Sequence, residues 1–204
     1  MTKTAALALV LLGSAPARAA GASPEAGVAV SLAQLAPDDY AVAGGFLVEG
    51  GTRAAWDVLT DYARIPRFVP SMVSSRVTGR AGAALMVEQE SVARLFLFHK
   101  TVRVLLSVTE EPGRRIEFRD VSHRDFASYA GSWRLEPRGD ATYVSYRLDA
   151  RGRFGAPGFL ARSAFRREAS RLLSEVRAEI VRRRAKGSGL ASSARGGAVS
   201  GARF

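Results

Sequence analysis

Apolar and polar positions alternate with a period of two between residues 71 and 150, and beyond residue 155 the period lengthens to that of a helix. The alternation is clearest at Val102, Val104, Leu106 and Val108, and again from Tyr143 to Leu148. It predicts six strands, at 73–78, 84–93, 100–109, 115–121, 127–136 and 142–150. Turn chemistry separates several of them: Gly79-Arg80-Ala81-Gly82, Glu111-Pro112-Gly113 and Pro137-Arg138-Gly139-Asp140. Consecutive strands joined by short turns imply an antiparallel meander.

Upstream, residues 40–49 alternate loosely through Val42, Phe46 and Val48 and predict a first strand ending at Gly50-Gly51. Thr52 can cap a short helix over 53–61, where Ala54, Ala55, Trp56, Val58 and Leu59 have helical spacing. Pro66 and Pro70 leave room for at most a second short turn around 65–69. Residues 94–99 (Arg-Leu-Phe-Leu-Phe-His) are strongly apolar at a strand junction, where a simple hairpin would be polar.

The longest predicted element is a helix over 155–186. Pro157 suits its first turn, no Gly or Pro interrupts it from Phe159 to Lys186, and Gly187 is a good terminating residue. At about 100° per residue, Phe165, Ala169, Leu172, Leu173, Val176 and Ile180 fall in one arc. Arg167, Arg171, Glu175, Ala178 and Arg182 fall opposite. An apolar face this long finds no partner helix in the chain, so it is expected to lie across the strands. The expected class is α+β: a curved antiparallel sheet of about seven strands around one long C-terminal helix, with two short helices after the first strand.

Composition changes the picture only at the ends. The chain has 204 residues, 47% hydrophobic and 24% charged, which suits one globular domain with tails. Lys3, the apolar stretch 5–12 and Ala17-Arg18-Ala19 have the three parts of an export signal, giving a periplasmic or secreted destination. Cleavage after Ala19 would remove Lys3 and Arg18 and no acid, lowering the net charge from +11 to +9. Residues 20–38 then form an expected flexible leader, 39–186 the domain, and 187–204 a disordered Gly, Ser and Ala tail. With no cysteine in the chain, the domain must be held by its core.

The basic excess is almost all arginine, since only Lys3, Lys100 and Lys186 are lysines. These residues are dispersed among acids, and only Arg182-Arg183-Arg184 forms a run. They read as a solvated face, with a transient contact to an anionic membrane as the alternative and nucleic-acid binding as a less favoured form of the same surface reading. The sequence offers no catalytic constellation. His99 and His123, the only histidines, have no partner at metal-ligand spacing; no Gly-x-Ser-x-Gly elbow and no phosphate-binding glycine loop occurs. Glu88 and Glu90 share one strand face and read as exposed. No metal or cofactor is called for.

The order of elements, with Ala55-Trp56-Asp57-Val58-Leu59-Thr60-Asp61-Tyr62, Ile65-Pro66-Arg67-Phe68-Val69-Pro70-Ser71-Met72, Val87-Glu88-Gln89-Glu90 and Gly131-Ser132-Trp133-Arg134-Leu135, resembles the SRPBCC superfamily. These are the START-like or helix-grip proteins, and the likeness is greatest to the polyketide cyclase/dehydrase and coenzyme-Q-binding branches. It spans about residues 40–185. The resemblance implies that the long helix closes over a concave sheet and that a hydrophobic small molecule occupies the space between them. Phe118, Tyr129, Trp133 and Tyr146 would then supply the sheet side of the ligand site, with Trp56 added from the short helix. Phe165, Ala169, Leu172, Leu173 and Val176 would supply the helix side, with Ala169 small where Leu would fill the gap. Residues 151–159, with three glycines, two arginines and Phe159, read as a lid. Arg162 falls in the apolar arc and would need an anionic partner.

Overall fold

The computed structural model describes residues 27–95, 98–153 and 158–196. The period-two alternation becomes β1 (Ala29–Ala36), β2 (Asp39–Glu49), β3 (Met72–Ala81), β4 (Ala84–Leu95), β5 (Phe98–Glu111), β6 (Arg115–Asp120), β7 (Phe126–Arg138) and β8 (Ala141–Gly152). Between β2 and β3 lie α1 (Thr52–Leu59) and a 3-10 helix (Tyr62–Arg67), and α2 (Gly158–Gly196) ends the described chain.

The strands make one antiparallel sheet in the order β1-β2-β8-β7-β6-β5-β4-β3. The run from β3 to β8 is the expected meander, and β2 closes against β8 with Val42 opposite Leu148 and Phe46 opposite Val144. Both pairs are buried on the inner face. α2 crosses that face, packing on β2, β1 and β4 and against α1. Its core-facing Leu173, Val176 and Ile180 are buried with Phe46, Val58, Val87 and Val144. This is the helix-grip arrangement.

The sheet has eight strands, one more than expected, because β1 falls within the stretch expected as flexible leader. Val28, Val30 and Leu32 pack on the core at alternate positions, so apolar burial holds the segment in the sheet. Gly44 makes this docking close: a Cβ there would stand 2.6 Å from both the Ala29 carbonyl oxygen and Leu173 Cδ1. A second correction concerns α2, which passes through Gly187 and continues to Gly196. A single helical glycine costs about 1 kcal/mol relative to alanine, which weakens a helix without ending it. The stretch expected as an export signal, Pro157, Phe96-Leu97 and residues 197–204 lie outside the described residues.

Glu88 and Glu90, for which the sequence suggests no partner, are each paired across the sheet. Arg76 Nε donates to Glu88 Oε2 at 2.9 Å and Arg103 Nε to Glu90 Oε2 at 2.8 Å. Each pair sits directly opposite in the strand register.

Candidate ligand cavity

Two adjoining cavities of about 180 and 120 Å3 lie between the sheet and the N-terminal half of α2. The helix supplies one wall of the outer cavity through Ala161, Ala164, Phe165, Glu168, Ala169 and Leu172. Three of these are alanines, so the helix presents little volume where it faces the sheet. β4, β5, β7 and β8 supply the opposite wall, including Gln89, Val102, Val104, Phe126 and Leu148. The inner cavity lies under α1 and the 3-10 helix and is lined by Leu59, Ile65, Leu106, Ile116, Phe118 and Trp133. Val69, Met72, Gln89, Tyr129, Tyr146 and Leu172 belong to both.

Strand alternation places the rings. Phe118, Tyr129, Trp133 and Tyr146 come from three neighbouring strands and meet on the inner face, with Trp133 and Tyr146 centroids 4.6 Å apart and Phe118 and Tyr129 6.0 Å apart. Phe126 extends the cluster at 4.8 Å from Tyr129. Gly131 allows it: a Cβ there would meet the Arg147 carbonyl at 2.2 Å and the Phe118 ring at 2.6 Å. At the helix end, Phe165 packs on the buried Tyr40 with centroids 4.9 Å apart and planes tilted by 30°, at the cavity edge. The 3-10 helix is tied to β5 by Tyr62, whose hydroxyl donates to Glu110 Oε1 at 2.5 Å.

Electrostatics separate the phenols from the rest of the wall. Burial pushes the Tyr129 hydroxyl up to about 12, despite the opposing effect of its hydrogen bond with Tyr146. Burial raises Tyr146 well above the ordinary tyrosine value too, and the neighbouring Tyr129 adds to it. Both are therefore neutral hydrogen-bonding groups near pH 7. Asp120, buried at the end of β6, accepts from the backbone N–H groups of Leu105, Ser122 and His123 and from Ser122 Oγ. It is committed to the turn. Among the described residues no group of His, Asp and Glu could hold a metal ion.

Of the residues named from the sequence, Phe118, Tyr129, Trp133, Tyr146, Phe165, Ala169, Leu172 and Val176 line one cavity or both. Four do not. Trp56 packs on the core from α1, and Leu173 is fully buried beneath Gly44. Phe159 is 73% exposed. Arg162 is exposed as well, so it needs no buried anion. At the start of α2 the buried side is that of Ala161 and Ala164, and Arg162, one residue further round, meets solvent. Ala161, Ala164, Phe126, Gln89, Lys100 and Glu168 also line the outer cavity and are not singled out by the sequence reading; small residues three apart (161, 164) in an arginine-rich stretch are the available signal.

The polyketide cyclase/dehydrase and lipid transport family model matches residues 52–177, which takes in α1, the cavity walls and the facing turns of α2. The chain belongs to this family. No curated protein matches it. Among solved structures, the family fold recurs in TTHA0849 from Thermus thermophilus, 20% identical over 69% of this chain and 97% of that one, with a TM-score of 0.61. It recurs in the Zhui aromatase/cyclase from a Streptomyces species, 16% identical over 71% of this chain and 95% of that one, TM-score 0.59. A STAR-related lipid transfer protein from Xanthomonas axonopodis is 15% identical over 74% of this chain and 98% of that one, TM-score 0.54. At these identities the likeness is one of fold.

Proposed function

We propose that this is an exported protein that holds a hydrophobic small molecule (a lipid, isoprenoid or polyketide-like compound) between the sheet and α2 and releases it unchanged. The observation that carries this reading is the pair of adjoining cavities with hydrocarbon and ring walls. Burying an apolar ligand there gains roughly 25 cal/mol for each Å2 removed from water. The phenols in the wall keep their protons near neutral pH, so they orient a ligand by donating or accepting hydrogen bonds and are poor bases. A cyclase or dehydrase is the second reading, favoured by the family and by the aromatic lining of the inner cavity. The export signal weighs against it, because polyketide assembly is cytoplasmic.

Protein purified from the exported fraction of its own host tests both halves. Its N-terminal sequence should begin at Ala20 or within a few residues, and native mass spectrometry should find an apolar molecule released intact on denaturation. Intact Met1 recovered from the cytoplasm, with an empty cavity and turnover of an aromatic precursor, would replace the carrier by the enzyme.

A further inference from the structure

The cavity wall is not uniformly apolar. The inner end is closed by Leu106, Ile116, Phe118 and Trp133, whereas Ser71, Ser91, Lys100 and Glu168 stand at the outer end and Gln89 borders both. Gln89 Nε2 donates to Ser75 Oγ at 3.2 Å, and Lys100 Nζ pairs with Asp125 Oδ1 at 3.2 Å. Glu168 differs from these. Its Oε1 is buried and accepts no hydrogen bond among the described residues. Arg171 Nη1, on the next turn, is 3.6 Å from that oxygen, beyond hydrogen-bond distance. Buried carboxylate oxygens are normally satisfied, and one left without a donor costs free energy that an arriving donor recovers. The Glu168 side chain as a whole keeps 24% exposure, which sets it at the cavity mouth.

We propose that Glu168 sets the ligand class: its Oε1 accepts a hydrogen bond from a hydroxyl or N–H at one end of an otherwise apolar ligand. The apolar body of that ligand runs past Ala169 and Leu172 toward the rings of the inner cavity. A ligand ending in a carboxylate is disfavoured, since at neutral pH it brings no donor and a like charge. The positive charge of Lys100 is already met by Asp125. This inference rests on the cavity being the ligand site.

Titration of the full chain with naphthalene, 1-naphthol and 1-naphthoate, followed by ligand fluorescence, separates the two ideas. Naphthalene reports the apolar cavity alone. In the wild type, 1-naphthol should bind roughly ten-fold or more tightly than naphthalene, the worth of a hydrogen bond to a charged group, and 1-naphthoate should bind weakest. Glu168→Leu should bring 1-naphthol down to the affinity that naphthalene shows in the same variant. Glu168→Gln, whose amide can donate, should improve 1-naphthoate. Equal binding of naphthalene and 1-naphthol by the wild type, or an undiminished 1-naphthol preference in Glu168→Leu, overturns the role of Glu168 while the cavity reading stands. Failure of all three probes to bind overturns both.

Discussion

Ala169 is the residue on which the open space most depends. It lies mid-way along the buried face of α2, 6% exposed, and lines the outer cavity between Phe165 and Leu172. A larger side chain there enters empty volume. Ala169→Phe should therefore abolish binding of an apolar probe while the melting temperature stays level or rises, because filling a void recovers contacts its lining had forfeited. Were the interior close-packed, the same change would cost about 1–3 kcal/mol and lower the melting temperature by roughly 2–12 °C. A thermal melt and a binding titration on this variant distinguish the outcomes. At this scale the sequence was legible where one rule holds along an element. Alternate positions on β6, β7 and β8 put Phe118, Tyr129, Trp133 and Tyr146, the rings that the family resemblance implies, on the inner face. A helical wheel, by contrast, assumes one environment from end to end, and the buried side of α2 shifts toward Ala161 and Ala164 at its start. That shift is why the wheel places Arg162 inward. Glu168 was hidden for another reason: spaced three residues from Arg171, it looks like any surface ion pair.

Among the elements, α2 is fastened at its other end by charge. Glu179 is only 4% exposed and accepts from Arg182 Nε at 2.8 Å and Arg183 Nε at 2.6 Å. Arg183 also reaches Asp61 Oδ2 at 2.9 Å and lies over the Phe68 ring at 5.9 Å, so the clamp joins α2 to the segment after α1. Burial pushes the Glu179 carboxyl up, but the hydrogen bonds from Arg183 and Arg182 outweigh it and hold the group below its ordinary value. A lowered folded pKa stabilises fully above the unfolded value of about 4.3 and loses that contribution as pH falls through the folded value. Glu179→Gln should therefore cost about 1–3 kcal/mol at neutral pH, with the gap to wild type closing below about pH 4.3. Melts across a pH series check this; a gap that persists unchanged into acid would mean the clamp is not ionic. The same Arg182-Arg183-Arg184 run reads in the sequence as a solvated face, yet two of its members hold Glu179 and the third reaches Glu49 Oε2 at 3.4 Å. Glu179, three and four residues away, is within local reach, whereas Asp61 and Glu49 lie more than a hundred residues away and leave no local pattern. The strands and α1 were legible because their periods are local, and β1 was obscured by the glycine- and alanine-rich stretch before it, although Val28, Val30 and Leu32 carry the period.

Across the described residues one sheet wraps against one long helix, with α1 and the 3-10 helix beside it, and the interior differs along that helix. Leu173 and Ile180 sit in the packed core, whereas from Ala161 to Leu172 the inner side faces the outer cavity. Leu172 and Val176 border the inner one. The central claim is that apolar ligands enter this space and not an exposed surface such as Phe159 or Leu35, which are 73% and 66% exposed. Backbone amide chemical shifts of the isotope-labelled full chain, followed through a titration with naphthalene, test it most directly. Saturable shifts should concentrate on the first turns of α2 around Ala161, Phe165, Ala169 and Leu172 and on Tyr129 and Tyr146 across the cavity. Shifts confined to the neighbourhood of Leu35 and Phe159, with the cavity walls unmoved, would contradict it.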